Sequence, residues 1–265
     1  VGRIKFCSLF SGSSGNALFL AGGGVKILID AGLSAKRIMA ALKIIGEAPD
    51  ELNAILITHE HSDHIRGAGI LARKLDIPIY ANQKTWKAMQ PLLGPLTTAR
   101  QIEFTTGETF QLGSLSVKSF STPHDAADSI GFCFNDQTKK IAVATDIGHI
   151  NDTVLNNLRY SDLIVLESNH DPQMLADGPY PNYLKKRIMG KWGHLSNVAA
   201  GELAAVLAAT GTSRFVLGHL SEENNRPELA YQTVARALIS QGMMVGRNLQ
   251  LLVALRDSVG DVINL

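Results

Sequence analysis

Short apolar runs rich in β-branched residues recur along this chain, and several stop abruptly at an Asp or a His. The runs at 4–10, 17–20 and 25–29 read as strands, and Gly22-Gly23-Gly24 between the last two marks a hairpin turn. Ser34 has the chemistry of an N-cap, after which Ile38, Leu42 and Ile45 share one face of a helix expected over 35–45. A strand over 54–58 follows, then a helix at 68–75, a strand at 77–80 and a helix at 83–89. Pro91, Gly94 and Pro95 predict a break. The stretch 102–143 is strand-rich with frequent turn signals. Beyond it, strands at 162–166 and 214–217 alternate with helices at 197–209 and 227–239, and 249–255 and 259–265 read as closing strands. Strands open each half and helices return between them. This order predicts an α/β fold, a four-layer αββα sandwich of two face-to-face sheets with helices outside. No linker, low-complexity tract or repeat interrupts it, so 1–265 is expected to be a single domain.

Composition narrows the class. Of the 265 residues, 45% are hydrophobic and 18% charged, which gives a compact globular chain rather than a disordered one. The net charge of +1 exerts no global pull on nucleic acid or anionic membrane, so any such attraction must come from a local patch. Cys7 and Cys133 are far apart, sit in apolar runs and have no partner at metal-ligand spacing; they read as buried free thiols in a reducing compartment. No run is long enough for a membrane span and no signal peptide opens the chain, so the expected location is cytoplasmic.

The chemistry concentrates in His59-Glu60-His61-Ser62-Asp63-His64, directly after the strand expected at 54–58. The whole chain has 8 histidines, and three of them stand here. Imidazole nitrogen and carboxylate oxygen suit Zn, Mn or Fe, and a loop of this spacing can turn ligands toward two metals. Four other strands run into a ligand-type residue. Residues 27–29 lead to Asp30, 119–123 to His124, 141–145 to Asp146 and 215–218 to His219. Each alone reads as a turn or cap residue. Together they supply donors enough for a two-metal site with a shared carboxylate.

In this order the motifs resemble those of the metallo-β-lactamase-fold hydrolases, along nearly the whole chain. The resemblance implies two divalent metal ions of undecided identity. His59, His61 and His124 would hold the first, Asp63, His64 and His219 the second, and Asp146 would bridge them. Asp30 would stand behind these ligands, accepting from a ligand histidine or fixing the loop. Asp146 occupies the place where the best-known lactamases have Cys, which turns the expectation toward phosphodiesterases, nucleases and thioesterases. Three further segments are similar to the YycJ (WalJ) group, near RNase J, RNase Z and the cyclic phosphodiesterase of phosphonate breakdown. They are Ser11-Gly12-Ser13-Ser14-Gly15-Asn16, Glu167-Ser168-Asn169-His170-Asp171 and Gly193-His194-Leu195-Ser196-Asn197. The stretch between Asp146 and His219 is too short for the β-CASP insertion of the RNase J branch.

That group implies a dinuclear-metal phosphodiesterase, a nuclease with DNA exonuclease action in view, whose nucleophile is a hydroxide bridging the metals. Asp63, Asp146 and His194 are the residues it makes catalytic. Ser13, Ser14 and Asn16 would cradle phosphate with backbone amides, and Asn169, His170 and His194 would contact it. Tyr183, Lys185, Lys186, Arg187, Lys191 and Trp192 make a local basic and aromatic stretch, read either as a solvated helix face or as a nucleic-acid contact. The expected partner is nucleic acid, DNA before RNA, with no membrane; a homodimer is left open. Two alternatives stay open as well. One is a thioester hydrolase of the hydroxyacylglutathione hydrolase type, which has a C-terminal helical extension where this chain reads as strand. The other is a non-catalytic binding domain.

Overall fold

The computed structural model describes residues 4–265. Its strands are β1 (Lys5–Phe10), β2 (Ala17–Gly22), β3 (Val25–Ile29), β4 (Ala54–Leu56), β5 (Ile79–Asn82), β6 (Gln101–Phe104), β7 (Thr109–Leu112), β8 (Leu115–Ser121), β9 (Ile130–Asn135), β10 (Lys140–Ala144), β11 (Leu163–Glu167), β12 (Arg214–Gly218), β13 (Gln250–Val253) and β14 (Ile263–Asn264). They form two seven-stranded mixed sheets, in the orders β14-β1-β2-β3-β4-β5-β6 and β13-β12-β11-β10-β9-β8-β7. The chain gathers into two compact units. The first runs to Ser119 and includes Ala126–Ile130 and Leu255–Leu265; the second is Phe120–Asp125 with Gly131–Ala254.

In the first unit β1, β2 and β3 pair antiparallel, and β3 to β6 run parallel. The hairpin between β2 and β3 turns on Gly23 and Gly24, both with positive φ, the backbone that a two-residue primed turn needs. The helices Ala35–Ile44, Ala68–Leu75 and Gln83–Leu93 bury their apolar faces against this sheet's core. Ser34 caps the first of them by accepting from the Arg37 amide. Pro91 does not end the third as its sequence suggests. The helix runs on to Leu93 because buried Met89 and Leu93 hold its last turn in the core, and it stops at Gly94, whose φ is +72°.

In the second unit β10 to β13 run parallel, with β9 antiparallel to β10. The parallel strands are apolar almost throughout, as expected where both faces are covered. β11 reads Leu-Ile-Val-Leu-Glu and is buried to its end, so Glu167 is a fully buried carboxylate. The helices here are Asp152–Leu158, Pro172–Asp177, Asn182–Ile188, Asn197–Ala208 and Pro227–Ser240. The two strands expected at the C-terminus are shorter than their hydropathy suggests, since β13 and β14 are edge strands with one ladder neighbour each. Cys7 and Cys133 are buried thiols. Among the described residues no helix is long and apolar enough to cross a membrane.

Candidate metal centre

Each unit assembles its own set of donors at the ends of its parallel strands. In the first, β4 runs into His59, and a single helical turn, Ser62–Ile65, carries Asp63 and His64. The His59 ring lies 4.6 Å from that of His61 and 4.1 Å from that of His64. Asp30, directly after β3, organises them. Its carboxylate accepts from the Thr58 amide at 2.8 Å, the Thr58 hydroxyl at 2.9 Å and His64 Nδ1 at 2.7 Å. The Thr58 hydroxyl gives its one proton to Asp30, so at 3.0 Å it accepts from His59 Nδ1. One carboxylate thus sets the tautomer of two histidines and leaves each Nε2 as a lone-pair donor. The sequence marked Asp30 but not Thr58; its one signal is a hydroxyl residue just before the first histidine.

The second unit is built around Glu167. Its Oε1 accepts from Nδ1 of His194 and of His219, both at 2.8 Å, while Oε2 accepts from the Ile147 amide at 2.7 Å and the Leu195 amide at 3.0 Å. Burial would raise this carboxyl, but the two histidines outweigh burial and hold it at about 2. His124 gives its Nδ1 proton to the Gly193 carbonyl at 2.9 Å, and burial lowers its pKa, which favours the neutral form that a metal ligand requires. Asp146 Oδ1 stands 3.5 Å from both His124 Nε2 and His219 Nδ1. Atoms of Asp146, Glu167, His194 and His219 lie within 4.8 Å of one another. Since Glu167 already serves four protein donors, it positions the histidines around it. Sequence reasoning placed Glu167 in a motif but gave it no role, although a charged residue ending a wholly apolar strand was the available signal.

Asp30, Asp146 and His219 share a further property. All three have left-handed backbone, with φ of +61°, +57° and +56°. Asp and His tolerate this region better than most residues, but it still costs about 1 kcal/mol or more. The turn aims each side chain off the end of its strand.

The residues expected to bind phosphate stand differently. Ser13 and Ser14 are the exposed tip of a turn, but the Gly15 and Asn16 amides are already used by the carbonyls of Gly12 and Asp63. Asn16 is buried, and its side chain bonds Gly12 and packs against His64, 3.1 Å from Nε2. Asn169 and His170 are each 3% exposed. The Asn169 amide is committed to the His219 carbonyl at 2.9 Å. Burial drives the pKa of His170 down to about 4, leaving a neutral ring with no charge to offer an anion. Both are more enclosed than the expected contact with phosphate suggests. His194 remains half-open, with a side chain 19% exposed.

The donors are imidazoles whose Nδ1 protons are already placed, together with carboxylates, and this set fits a divalent metal ion. Comparison with known proteins agrees. Residues 25–220 match the family model of the β-lactamase superfamily domain, and the chain belongs to that superfamily. Within it the chain falls in the YycJ/WalJ group. It is 40% identical over 243 residues to exodeoxyribonuclease YycJ of Bacillus anthracis, covering 92% of each chain. It is 41% identical to exodeoxyribonuclease WalJ of Streptococcus pneumoniae, covering 92% of this chain and 91% of the relative. Among solved structures, the metallo-β-lactamase fold protein YhfI from Bacillus subtilis superposes over 100% of both chains, with a TM-score of 0.73 at 18% identity. The short form of human tRNase Z gives 0.62 at 18% identity, covering 97% of this chain and 98% of that one. These likenesses give the fold, the metallo-β-lactamase αββα sandwich.

Proposed function

We propose that this protein is a metal-dependent phosphodiesterase, an exonuclease acting on DNA, and that its two units work as one domain. The observation that carries the reading is the pair of donor sets, one per unit, on a chain that matches exodeoxyribonucleases over nine-tenths of its length. His59, His61 and His124 are assigned to one metal ion, Asp63, His64 and His219 to a second, and Asp146 to both. Zn, Mn and Fe all suit these ligands. When bound, the ions supply positive charge to the phosphoryl oxygens and lower the pKa of a water to about 7 so that it can attack.

The protein's own residues do the rest. Asp30 and Thr58 keep the ligand nitrogens of His59 and His64 deprotonated and aimed. Glu167 does the same for His219. His194 is the proton donor: with Nδ1 held by Glu167, its Nε2 hands a proton to the leaving oxygen, and the Glu167 carboxylate balances the charge on the ring. The buried thiols of Cys7 and Cys133 fit a reducing compartment, and we place the protein in the cytoplasm.

The experiment is cleavage of 5′-labelled single- and double-stranded DNA and RNA by protein reconstituted with Zn or with Mn, with Asp146→Ala as control. Stepwise loss of nucleotides from DNA, absent in the control, is the expected result. Cleavage of bis-p-nitrophenyl phosphate without cleavage of any polynucleotide would reduce the reading to a small phosphodiester. Hydrolysis of neither would overturn it.

A further inference from the structure

Trp192 is 61% exposed, yet the backbone that carries it is tied at three successive residues. Three successive carbonyls are each taken by a donor next to the candidate centre. Lys191 O accepts from His149 Nδ1 at 2.8 Å, Trp192 O from the Asp125 amide at 3.0 Å and Gly193 O from His124 Nδ1 at 2.9 Å. The segment also lies directly on Gly148, where a β-carbon would stand 2.3 Å from Lys191 O and 2.7 Å from the Gly193 amide. Arg187, at the end of the helix before it, holds the Asp125 carboxylate at 2.5 Å. An exposed aromatic side chain on flexible backbone is an ordinary surface residue. Here its backbone is fixed to an assigned metal ligand, His124, and it stands two residues from the proton donor, His194. That separation is at most about 7 Å between α-carbons.

The surroundings suit a polyanion with unsaturated rings. Lys186, Arg187 and Lys191 are close to it in the chain and exposed, and the His149 and indole rings meet in a T-shape, at 6.2 Å and 84°. The contact with His149 braces the indole. Cations that follow a backbone beside a fixed aromatic ring are what single-stranded nucleic acids bind, since every base has a stacking face.

We propose that Trp192 is the stacking platform for the base next to the scissile phosphate of single-stranded DNA, with Lys186 and Lys191 on the backbone. This rests on the phosphodiesterase reading and adds to it how the substrate is positioned. It makes Trp192 a residue that selects unpaired over paired strands, because a base within a duplex has its faces covered by its neighbours.

The chain's two tryptophans make the test direct. Trp86 is 3% exposed with its indole nitrogen bonded to the Ile102 carbonyl, so a change in fluorescence on adding DNA reports Trp192. The titrant is a short phosphorothioate oligothymidylate added to metal-loaded protein, with an abasic oligomer of equal length as the control for backbone binding. Thymidylate is expected to quench and the abasic chain is not. Trp192→Ala is expected to weaken thymidylate binding about 5- to 100-fold, with metal content and the salt dependence of binding retained, and Trp192→Phe to restore most of the loss. Equal thymidylate affinity in Trp192→Ala and wild type, or equal quenching by the abasic oligomer, would overturn the platform. If DNA were still degraded in that case, the phosphodiesterase reading would stand alone. Failure of every oligomer to bind would remove both.

Discussion

Gly32 touches the backbone of Asp63 so closely that a β-carbon on it would stand 1.6 Å from the Asp63 carbonyl oxygen. The contact clamps the segment after β3 onto the turn that carries Asp63 and His64, and the Asn16 amide bonds the same carbonyl at 2.8 Å. No side chain can move aside, since both partners are backbone. Gly32→Ala is therefore expected to destabilise the protein by more than about 4 kcal/mol or to abolish soluble expression. Urea denaturation, or the soluble yield where the variant is too unstable to titrate, reads the effect. A loss under about 1 kcal/mol would mean that the clamp is looser than drawn.

Asp30→Asn keeps the shape of the side chain and its tolerance for left-handed backbone, but it offers only one acceptor oxygen to Thr58 and His64. The fold should survive, because Asn accepts that conformation. Metal affinity should fall about 10- to 100-fold as the histidine tautomers loosen. Competition with a chromogenic chelator measures this, and circular dichroism checks the fold. Unchanged affinity would remove Asp30 from the organisation of the centre.

Glu167 and His194 separate positioning from proton transfer. His194→Ala should cut turnover about 10²- to 10⁴-fold while leaving metal content unchanged. Glu167→Gln should cut turnover and also weaken metal binding, because it releases His219 as well as His194. Metal analysis beside single-turnover rates distinguishes the two variants. Loss of metal in His194→Ala would make that histidine a ligand.

Away from the centre, Glu47 receives Lys5 at 2.5 Å and Lys26 at 2.7 Å with a side chain 9% exposed. Burial alone would raise its pKa, but the two lysines outweigh burial and hold it below the ordinary 4.5. A depressed carboxyl stabilises the fold above its unfolded value and loses that contribution as pH falls through its folded value. Glu47→Gln should cost about 1–3 kcal/mol at neutral pH. Its difference from wild type should shrink as pH drops below 4.5, which denaturation series at the two pH values would show. A constant difference would assign the effect to packing.

The residues legible in sequence were those whose partners are near in the chain or whose strand context is plain. His59, His61, Asp63 and His64 sit within one short segment, and Asp30, Asp146 and His219 end apolar runs. What stayed hidden depended on distant contacts. Glu167 gains its role from histidines 27 and 52 positions away, and Asn16 packs against one 48 away. Asn169 and His170 were expected to meet phosphate because they follow a strand, but their burial is set by how the segment folds back on Ser196 and Asn225. The short helices Asp152–Leu158 and Pro172–Asp177 carry too few turns to show a period, and Pro91 was outvoted by the core contacts of its neighbours.

The left-handed residues at 30, 146 and 219 have a consequence for how this centre can decay. A position with φ near +60° admits Gly, Asn, Asp or His at modest cost and penalises β-branched residues heavily. A descendant chain that no longer needed its chemistry would therefore not fill these positions freely. Asn and Gly would accumulate there while Val and Ile stayed rare, so the outline of the centre would outlast its activity. Such a copy could be recognised by three strand ends that keep the bend after losing the charge.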